Sequence, residues 1–293
     1  MDTSEQLDFR KRNFTTISPS AKMVLLFKAY TDIPFARQTA GLISQPEPFA
    51  FDFSNKDWLF WMMTYHLENR YKSIDLLLKD KPVKNILELS SGYSFRGLNM
   101  IQQEDVHYID TDLPDLVTKK KELALALTDE RIPEKGTLEL LPLNVLDEKQ
   151  FMEIAARFPK GELAIVNEGL LTYLNKTEKE ALCKIIHQVL TDRGGFWITA
   201  DIYIKDKTEF MDFKMDEKWQ KFAEEHHIEE NMFESFESAA AFFKRMGFAI
   251  DKEATVDRSE LSALPHLLKN VSSEQLAQLK GTKIQTTWRL QPV

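Results

Sequence analysis

The chain has 293 residues, of which 43% are hydrophobic, and it carries a formal net charge of -8. This length can bury the core of one large α/β domain, with or without additional segments. The acidic balance argues against a general nucleic-acid or membrane-surface binder, because those partners attract clustered Lys and Arg. The sequence has no run of about twenty apolar residues and no apolar N-terminal segment typical of a signal peptide, so we expect a cytoplasmic protein.

The first 80 residues predict helices that pack on a core domain formed by residues 81–293. Apolar residues at helical spacing follow a plausible helix start at Ser18, and a long helical region rich in aromatic residues and methionine covers 56–79. Lys22 and Lys28 interrupt the first helix, and Arg70 lies in the second. Each of these cations is either a solvated helix charge or a partner for a cofactor carboxylate.

Residues 84–97 predict a buried strand that runs into a tight turn. Its short apolar run is typical of a parallel strand covered on both faces, and Gly92 breaks it where the backbone turns sharply or approaches a ligand. A second strand over 106–110 is predicted to end on Asp110. An acidic side chain at the tip of the neighbouring strand is placed to accept hydrogen bonds from ribose hydroxyls. The two strand tips therefore predict one pocket for a nucleotide-like cofactor.

Further strands are predicted over 138–145, 163–166 and 196–202. Asn144 closes the third strand, where its amide suits either a base edge or the cap of the next helix. Glu168 follows the fourth strand. Ligands of open α/β sheets bind outside the carboxyl ends of the strands. One crevice is therefore predicted to collect polar residues from four strands: Ser90, Asp110, Asn144 and Glu168.

A change to charged and aromatic residues predicts a helical cap insertion at about 205–235, which could shape a substrate pocket and exclude water. His226 and His227 lie in this cap, but adjacent histidines point apart on a helix, so no metal site is predicted. Cys183 is the single cysteine of the chain and lies in a helical pattern, which favours a packed thiol over a nucleophile.

Two nucleotide-like cofactors suit such a sheet, a dinucleotide and S-adenosylmethionine. A dinucleotide needs a small residue where the helix touches the strand, and the bulky Phe95 occupies that position. No Gly-Lys-Ser/Thr turn for a triphosphate is present. S-adenosylmethionine has no pyrophosphate and needs one close glycine, so the turn Ser90-Ser91-Gly92 is compatible with it. Phe95 therefore disfavours the interpretation of the protein as a dinucleotide-dependent oxidoreductase.

Three motifs follow the first, second and fourth predicted strands: 86–92 together with Arg96, then 108–114, and then 167–174. In combination they resemble the leucine carboxyl methyltransferase family, which includes the polyketide-type O-methyltransferases. The resemblance runs from about residue 18 to the final strand. It implies a doubly wound, mostly parallel, seven-stranded Rossmann-like methyltransferase sheet with its last two strands antiparallel at one edge. It also implies S-adenosylmethionine as the cofactor.

The resemblance further implies roles for individual residues. Arg70 and Lys22 would meet the methionine carboxylate, and Glu168 would lie near the amino group and the sulfonium. Asp110 matches the ribose-binding acid, and Asn144 stands where the family usually has an Asp for the adenine amino group. The predicted cofactor-binding set is Lys22, Arg70, Glu88, Ser90, Gly92, Asp110, Asn144, Val145 and Glu168. Tyr173 is either a wall of the acceptor site or a core aromatic residue.

The first motif departs from the family pattern Gly-Ala-Gly-x-Asp-Thr-Arg. Ser90, Ser91, Ser94 and Phe95 replace the first glycine, the alanine, the aspartate and the threonine. Ser90 thus adds a side chain where the backbone would approach the cofactor. Two readings follow from the resemblance and its departures. One is an O-methyltransferase that acts on a carboxylate of a small molecule or a peptide, and the other is a catalytically silent regulatory protein that binds S-adenosylmethionine or S-adenosylhomocysteine.

A carboxylate acceptor is already ionised at pH 7, so the sequence predicts no catalytic histidine. Methyl transfer to such an acceptor can rely on orientation and desolvation.

Overall fold

The computed structural model describes residues 18–43, 53–128, 134–205, 217–275 and 283–293. Seven strands form one sheet: β1 Asn85–Leu89, β2 His107–Asp112, β3 Thr137–Pro142, β4 Leu163–Asn167, β5 Gly195–Tyr203, β6 Phe248–Glu253 and β7 Gln285–Pro292. Their spatial order is β3-β2-β1-β4-β5-β7-β6. Strands β1 to β5 are parallel, whereas β7 runs antiparallel to both of its neighbours. The predicted doubly wound, mostly parallel seven-stranded sheet is confirmed, with the reversed strand β7 lying between β5 and β6.

Helices cover both faces of this sheet. They are α1 Ser18–Lys28, α2 Ala36–Leu42, α3 Trp58–Asp80, α4 Arg96–Gln103, α5 Pro114–Leu127, α6 Glu148–Ala155, α7 Lys176–Arg193, α8 Glu217–Glu225, α9 Phe236–Arg245 and α10 Leu264–Asn270. Short 3-10 turns lie at Leu171–Tyr173 and Arg258–Glu260. Among the described helices, none combines the length and the apolar character needed to cross a bilayer.

The central strands are mostly apolar because both of their faces are covered. Every residue of β1 and of β4 is buried. Successive side chains of a strand point to opposite faces. Accordingly Ile86 packs with residues of α3 and α4, while its neighbour Leu87 packs with residues of α6 and α7. Burial on both faces is typical of parallel sheets.

The N-terminal helices pack against the C-terminal part of the chain. Phe27 of α1 and Phe60 of α3 share an apolar cluster with Leu267 of α10. Glu68 is buried in α3 and accepts a hydrogen bond from the backbone N–H of Ala263 at 2.8 Å. The predicted division at residue 80 coincides with the end of α3. It stays a prediction, and residues 1–17 and 44–52 lie outside the described part of the chain.

The predicted cap insertion at about 205–235 is described in part. Residues 206–216 lie outside the described residues, and α8 begins at Glu217. His226 is buried beyond the end of α8, and its ring lies 4.4 Å from that of Phe222. It therefore packs as an aromatic side chain in this segment.

Two strand ends differ from the sequence-based expectation. Strand β2 continues past Asp110 to Asp112, because it keeps pairing with β3 as far as Pro142. Strand β3 ends at Pro142 rather than at Val145. Proline has no N–H group with which to extend a ladder, so Asn144 and Val145 lie in the loop that follows β3.

Candidate functional site

A cavity of about 550 Å³ opens where the carboxyl ends of β1, β2 and β4 meet the helices α1 and α3. The order of strands reverses between β1 and β4, which is where ligands of doubly wound sheets bind. Seven members of the predicted residue set line the cavity: Arg70, Glu88, Ser90, Gly92, Val145, Glu168 and Tyr173. The predicted residues Lys22, Asp110 and Asn144 are not among its lining residues.

The loop after β1 brings backbone close to the cavity through two left-handed residues. Gly92 has a φ of 57° and Ser90 a φ of 49°. Glycine adopts this conformation without steric cost, whereas an L-residue with a side chain loses about 1–2 kcal/mol. The backbone N–H of Gly92 donates to Oδ2 of Asp112 at 2.7 Å. The loop is thus held against the end of β2.

Asp110 lies under the loop and away from the cavity, which corrects its predicted position at a strand tip. Its side chain is buried, and Lys120 of α5 donates to Oδ2 of Asp110 at 2.6 Å. Ser91 also donates its hydroxyl proton to Asp110. Helix α5 covers this carboxylate, since Lys120 reaches it from the face of the sheet.

Asp112 is the acid that the end of β2 presents to the cavity. Its carboxylate accepts hydrogen bonds from the backbone N–H groups of Gly92 and Leu113, each at 2.7 Å. Burial raises the pKa of Asp112, although these two hydrogen bonds oppose the rise. The sequence contains a signal for this position, because Pro114 at the start of α5 marks where strand β2 must already have ended.

A buried cluster of cations surrounds Glu168. Nζ of Lys28 lies 2.7 Å from Oε1 of Glu168, and Nη2 of Arg70 lies 3.8 Å from the same atom. Nη2 of Arg96 lies 3.7 Å from Oε2. Burial alone would raise the pKa of Glu168, but the charges of Lys28, Arg70 and Arg96 lower it overall. Glu168 is therefore held as a carboxylate at the cavity wall.

Lys28, and not Lys22, is the cation that α1 presents to the cavity. The cavity-lining residues of α1 include Ala21, Val24, Leu25 and Lys28, which are spaced three, four and seven positions apart along one helix face. Lys22 follows Ala21 directly and is not among the residues that line the cavity. Burial lowers the pKa of Lys28, against the opposing effect of Glu168.

Asp201 of β5 organises the loop after β4, and sequence reasoning missed it. Its side chain accepts hydrogen bonds from the backbone N–H groups of Gly169, Leu170 and Leu171, at 2.6, 2.7 and 3.1 Å. Arg70 donates to Oδ1 of Asp201 at 3.2 Å. The available signal was that Asp201 is the one charged residue of the otherwise uncharged segment that forms β5.

Asn144 and Glu88 have structural partners. Oδ1 of Asn144 accepts from the backbone N–H of Leu146 at 3.1 Å, so the residue lies in the turn after β3, but the cap of the next helix is Asp147 and not Asn144. Glu88 lines the cavity and accepts a hydrogen bond from the hydroxyl of Tyr108 at 2.7 Å. Burial and, to a lesser degree, the charge of Asp110 raise the pKa of Glu88 to about 8.

A large part of the cavity lining is apolar. This part includes Met62, Met63, Ile228, Met232, Leu264 and Leu267. Tyr173 lines the cavity and also makes ring contacts with Phe222 and His226, at centroid distances of 6.3 and 6.2 Å. Both interpretations of Tyr173, as a wall of the site and as a packed aromatic, thus describe part of its surroundings.

His66 and Tyr203 also line the cavity, and sequence reasoning missed them. Nε2 of His66 lies 2.6 Å from the hydroxyl oxygen of Tyr203. Burial, with a smaller effect of Arg70, lowers the pKa of His66 to about 3. The imidazole is therefore neutral at physiological pH. No local signal marks the pair, because its two members belong to α3 and β5.

Within the described residues, no group of three or more His, Cys, Asp or Glu side chains is arranged to hold a metal ion. Cys183 is buried in α7, and burial raises the pKa of its thiol, in agreement with a packed rather than a nucleophilic cysteine.

The sequence matches no protein-family model, and no curated protein matches it significantly. The fold has relatives among solved structures. A DUF574 family protein from Streptomyces avermitilis superposes with a TM-score of 0.52 at 11% identity, covering 92% of this chain and 97% of that chain. A magnesium protoporphyrin IX methyltransferase from Synechocystis, solved with bound S-adenosylhomocysteine, gives a TM-score of 0.48 at 10% identity, covering 92% and 100% of the two chains. An O-methyltransferase family protein from Burkholderia thailandensis gives 0.47 at 12% identity, covering 94% and 72%. At 11% identity, the superposition with the DUF574 family protein shows a shared fold.

Proposed function

We propose that the protein binds S-adenosylmethionine in this cavity and transfers the methyl group to a carboxylate of a small molecule or a peptide. One observation carries the proposal. The glycine loop after β1, the acid Asp112 at the end of β2, and the buried cations Lys28 and Arg70 line a single cavity at the point where the strand order reverses. Each of these groups is of the kind that one part of S-adenosylmethionine requires.

The residues fit the cofactor by charge and hydrogen-bonding capacity. Arg70 and Lys28 both line the cavity, and Nε of Arg70 is a buried donor without a hydrogen-bond partner, so the two cations suit a ligand carboxylate. Glu168 carries the negative charge that an ammonium group would meet. Asp112 has a carboxylate at the cavity that can accept from ribose hydroxyls. The ribose role that the resemblance assigned to Asp110 is therefore proposed for Asp112, and the lysine role for Lys28.

When bound, S-adenosylmethionine would supply an electrophilic methyl group for transfer to an acceptor oxygen, with sulfur keeping the electron pair of the C–S bond. The chain's own residues contribute binding, orientation and exclusion of water. The methionine and leucine side chains of α3 and α10 line the cavity and would exclude water from an acceptor bound beside them. An acceptor carboxylate is ionised at pH 7 and needs no general base, so orientation and desolvation supply the catalysis.

Calorimetric titration of the protein with S-adenosylmethionine, and separately with NAD, tests the proposed cofactor. We expect micromolar affinity for the former and none for the latter. Asp112→Asn should weaken binding by about tenfold or more, because a charge-assisted hydrogen bond contributes roughly 1.5–3 kcal/mol. Asp115→Asn is the matched control, since Asp115 is exposed in the first turn of α5 and should leave the affinity unchanged.

A preference for NAD, or equal affinities of the Asp112 and Asp115 variants, would contradict the proposed cofactor site. Assays for methyl-ester formation with a panel of carboxylic acids then test turnover. Tight binding of S-adenosylmethionine without any ester product would instead indicate a regulatory protein that holds the cofactor.

A further inference from the structure

The pair formed by His66 and Tyr203 lies in the cavity wall and has no part in holding the cofactor as proposed above. His66 projects from α3, and Tyr203 is the last residue of β5. The hydrogen bond between Nε2 and the hydroxyl, at 2.6 Å, joins residues 137 positions apart in the chain. The other ring nitrogen, Nδ1, has no hydrogen-bond partner among the described residues, and it is not one of the enclosed polar atoms. It is therefore open to the cavity that His66 lines.

The surroundings of Tyr203 favour a proton on one particular nitrogen of His66. Burial raises the pKa of Tyr203, so the hydroxyl keeps its proton and can donate it in a hydrogen bond. The guanidinium of Arg70 lies 5.5 Å from the centre of the Tyr203 ring and offers no lone pair. Within the described chain, Nε2 of His66 is the acceptor recorded for this hydroxyl. In the arrangement we infer, Tyr203 donates to Nε2, and the single proton of the neutral imidazole is on Nδ1.

We propose that the Nδ1–H group of His66 binds one oxygen of the acceptor carboxylate and so acts as a positioning residue for the methyl acceptor. The inference rests on the proposed function and makes its acceptor more specific. An Nδ1–H group donates a hydrogen bond and has no lone pair with which to take a proton. The pair therefore suits an acceptor that is already ionised, and it does not suit a phenol or an alcohol that needs a base.

The remainder of the acceptor is inferred from the wall beside His66. Met62 and Met63 precede it on α3, and Met232 and Leu264 face the same cavity. Methionine side chains adapt to irregular apolar groups. A carboxylate held at His66 would thus carry an aliphatic or aromatic body, so the substrate class is an apolar carboxylic acid.

The first test examines the tautomer in the protein without any ligand. Nitrogen-15 NMR of protein labelled at its six histidines, with the His66 signals identified by their loss in His66→Asn, should show a protonated Nδ1 and an unprotonated Nε2 at neutral pH. In Tyr203→Phe this preference should disappear, because Nε2 loses its donor. A protonated Nε2 in the unaltered protein would overturn the inference.

The second test measures binding of octanoate by calorimetry in protein saturated with S-adenosylhomocysteine. His66→Phe should weaken octanoate binding by about tenfold or more, since a hydrogen bond to a charged group is lost. His66→Asn places an amide donor near the position of Nδ1 and should recover part of the affinity. Binding of octan-1-ol should change much less in both variants.

The outcomes separate the two proposals. If S-adenosylhomocysteine binds all variants alike and octanoate binds His66→Phe as tightly as the unaltered protein, the role of His66 is wrong while the cofactor site stands. Lack of octanoate binding to the unaltered protein overturns the role of His66 as well. If S-adenosylhomocysteine does not bind the unaltered protein, the proposed function fails, and the acceptor role of His66 fails with it.

Discussion

Ser90 adopts a backbone conformation that is unfavourable for a residue with a side chain. It occupies the left-handed region, with a φ of 49°, and its side chain lies at the cavity wall. A serine at a position that favours glycine stores roughly 1–2 kcal/mol of steric strain. Such strain at a cavity wall is common where the backbone is positioned for a ligand. A serine at this position of the loop thus carries a cost in stability that unfolding experiments can test.

We predict that Ser90→Gly leaves the free energy of unfolding unchanged or raises it by up to about 1 kcal/mol. Relief of the left-handed strain offsets the entropy that glycine loses on folding, roughly 0.5–1 kcal/mol. Ser94→Gly is the matched control. Because Ser94 does not have a positive φ, this variant gains no relief of strain and should lose stability through the entropy of glycine. Urea unfolding measures both variants, and equal losses of stability would show that Ser90 is not strained.

At the scale of elements, the ion pair of Asp110 and Lys120 joins β2 to α5. Both side chains are about 98–99% buried, and their charged atoms lie 2.6 Å apart. Ser91 accepts a hydrogen bond from Lys120 at 2.8 Å and donates to Asp110, so the pair also fixes the loop after β1. The acid that the sequence suggested as a ligand is thus part of the support beneath the cavity.

We predict that Asp110→Asn lowers the free energy of unfolding by about 3–5 kcal/mol, because it leaves the buried charge of Lys120 uncompensated. Adding Lys120→Met should recover a large part of the lost free energy of unfolding, since the unpaired charge is then removed. Asp105→Asn is the control. Its pair with Lys84 is about three-quarters exposed on both sides, so the change should cost less than about 1 kcal/mol. Similar losses in the Asp110 and Asp105 variants on urea unfolding would contradict the buried-pair interpretation.

At the scale of the whole molecule, Glu88 links stability to pH. It is buried in the central strand β1, and its pKa rises from 4.5 to about 8, chiefly through burial and secondarily through the charge of Asp110. The folded protein thus binds a proton at Glu88 more tightly than the unfolded chain does. The stability that this group contributes is present below pH 4.5 and is lost as the pH rises toward 8.

We predict that the free energy of unfolding falls between pH 5 and pH 8 more steeply in the unaltered protein than in Glu88→Gln. Glutamine resembles the protonated acid and does not titrate, so the variant should lack this part of the pH dependence. Urea unfolding at several pH values measures the two slopes. Parallel pH profiles would show that Glu88 does not titrate differently in the folded and unfolded chains.

Much of the architecture follows from local sequence. The apolar runs of β1, β4 and β5, the glycine after β1 and the helical spacing between them are sufficient to predict a doubly wound sheet. Parallel strands place their carboxyl ends at one edge, so Ser90 and Glu168 could be assigned to one crevice without coordinates. The N-cap of α7 at Asn175 is likewise a local property, because its side chain and Glu178 form a capping box within four residues.

The tertiary structure decided which side chains of these elements reach the cavity. Lys28 lines it rather than Lys22, because the helix face that meets the cavity depends on how α1 packs on its neighbours. Asp112 lines it rather than Asp110, because the length of β2 depends on its pairing with β3. The pairing of His66 with Tyr203 joins residues far apart in the chain. The sequence by itself determined the sheet and the edge where the cavity opens, since these depend on hydrophobic periodicity. Contacts between distant residues depend on how the elements pack, so only the folded chain could bring His66 and Tyr203 together in the cavity wall.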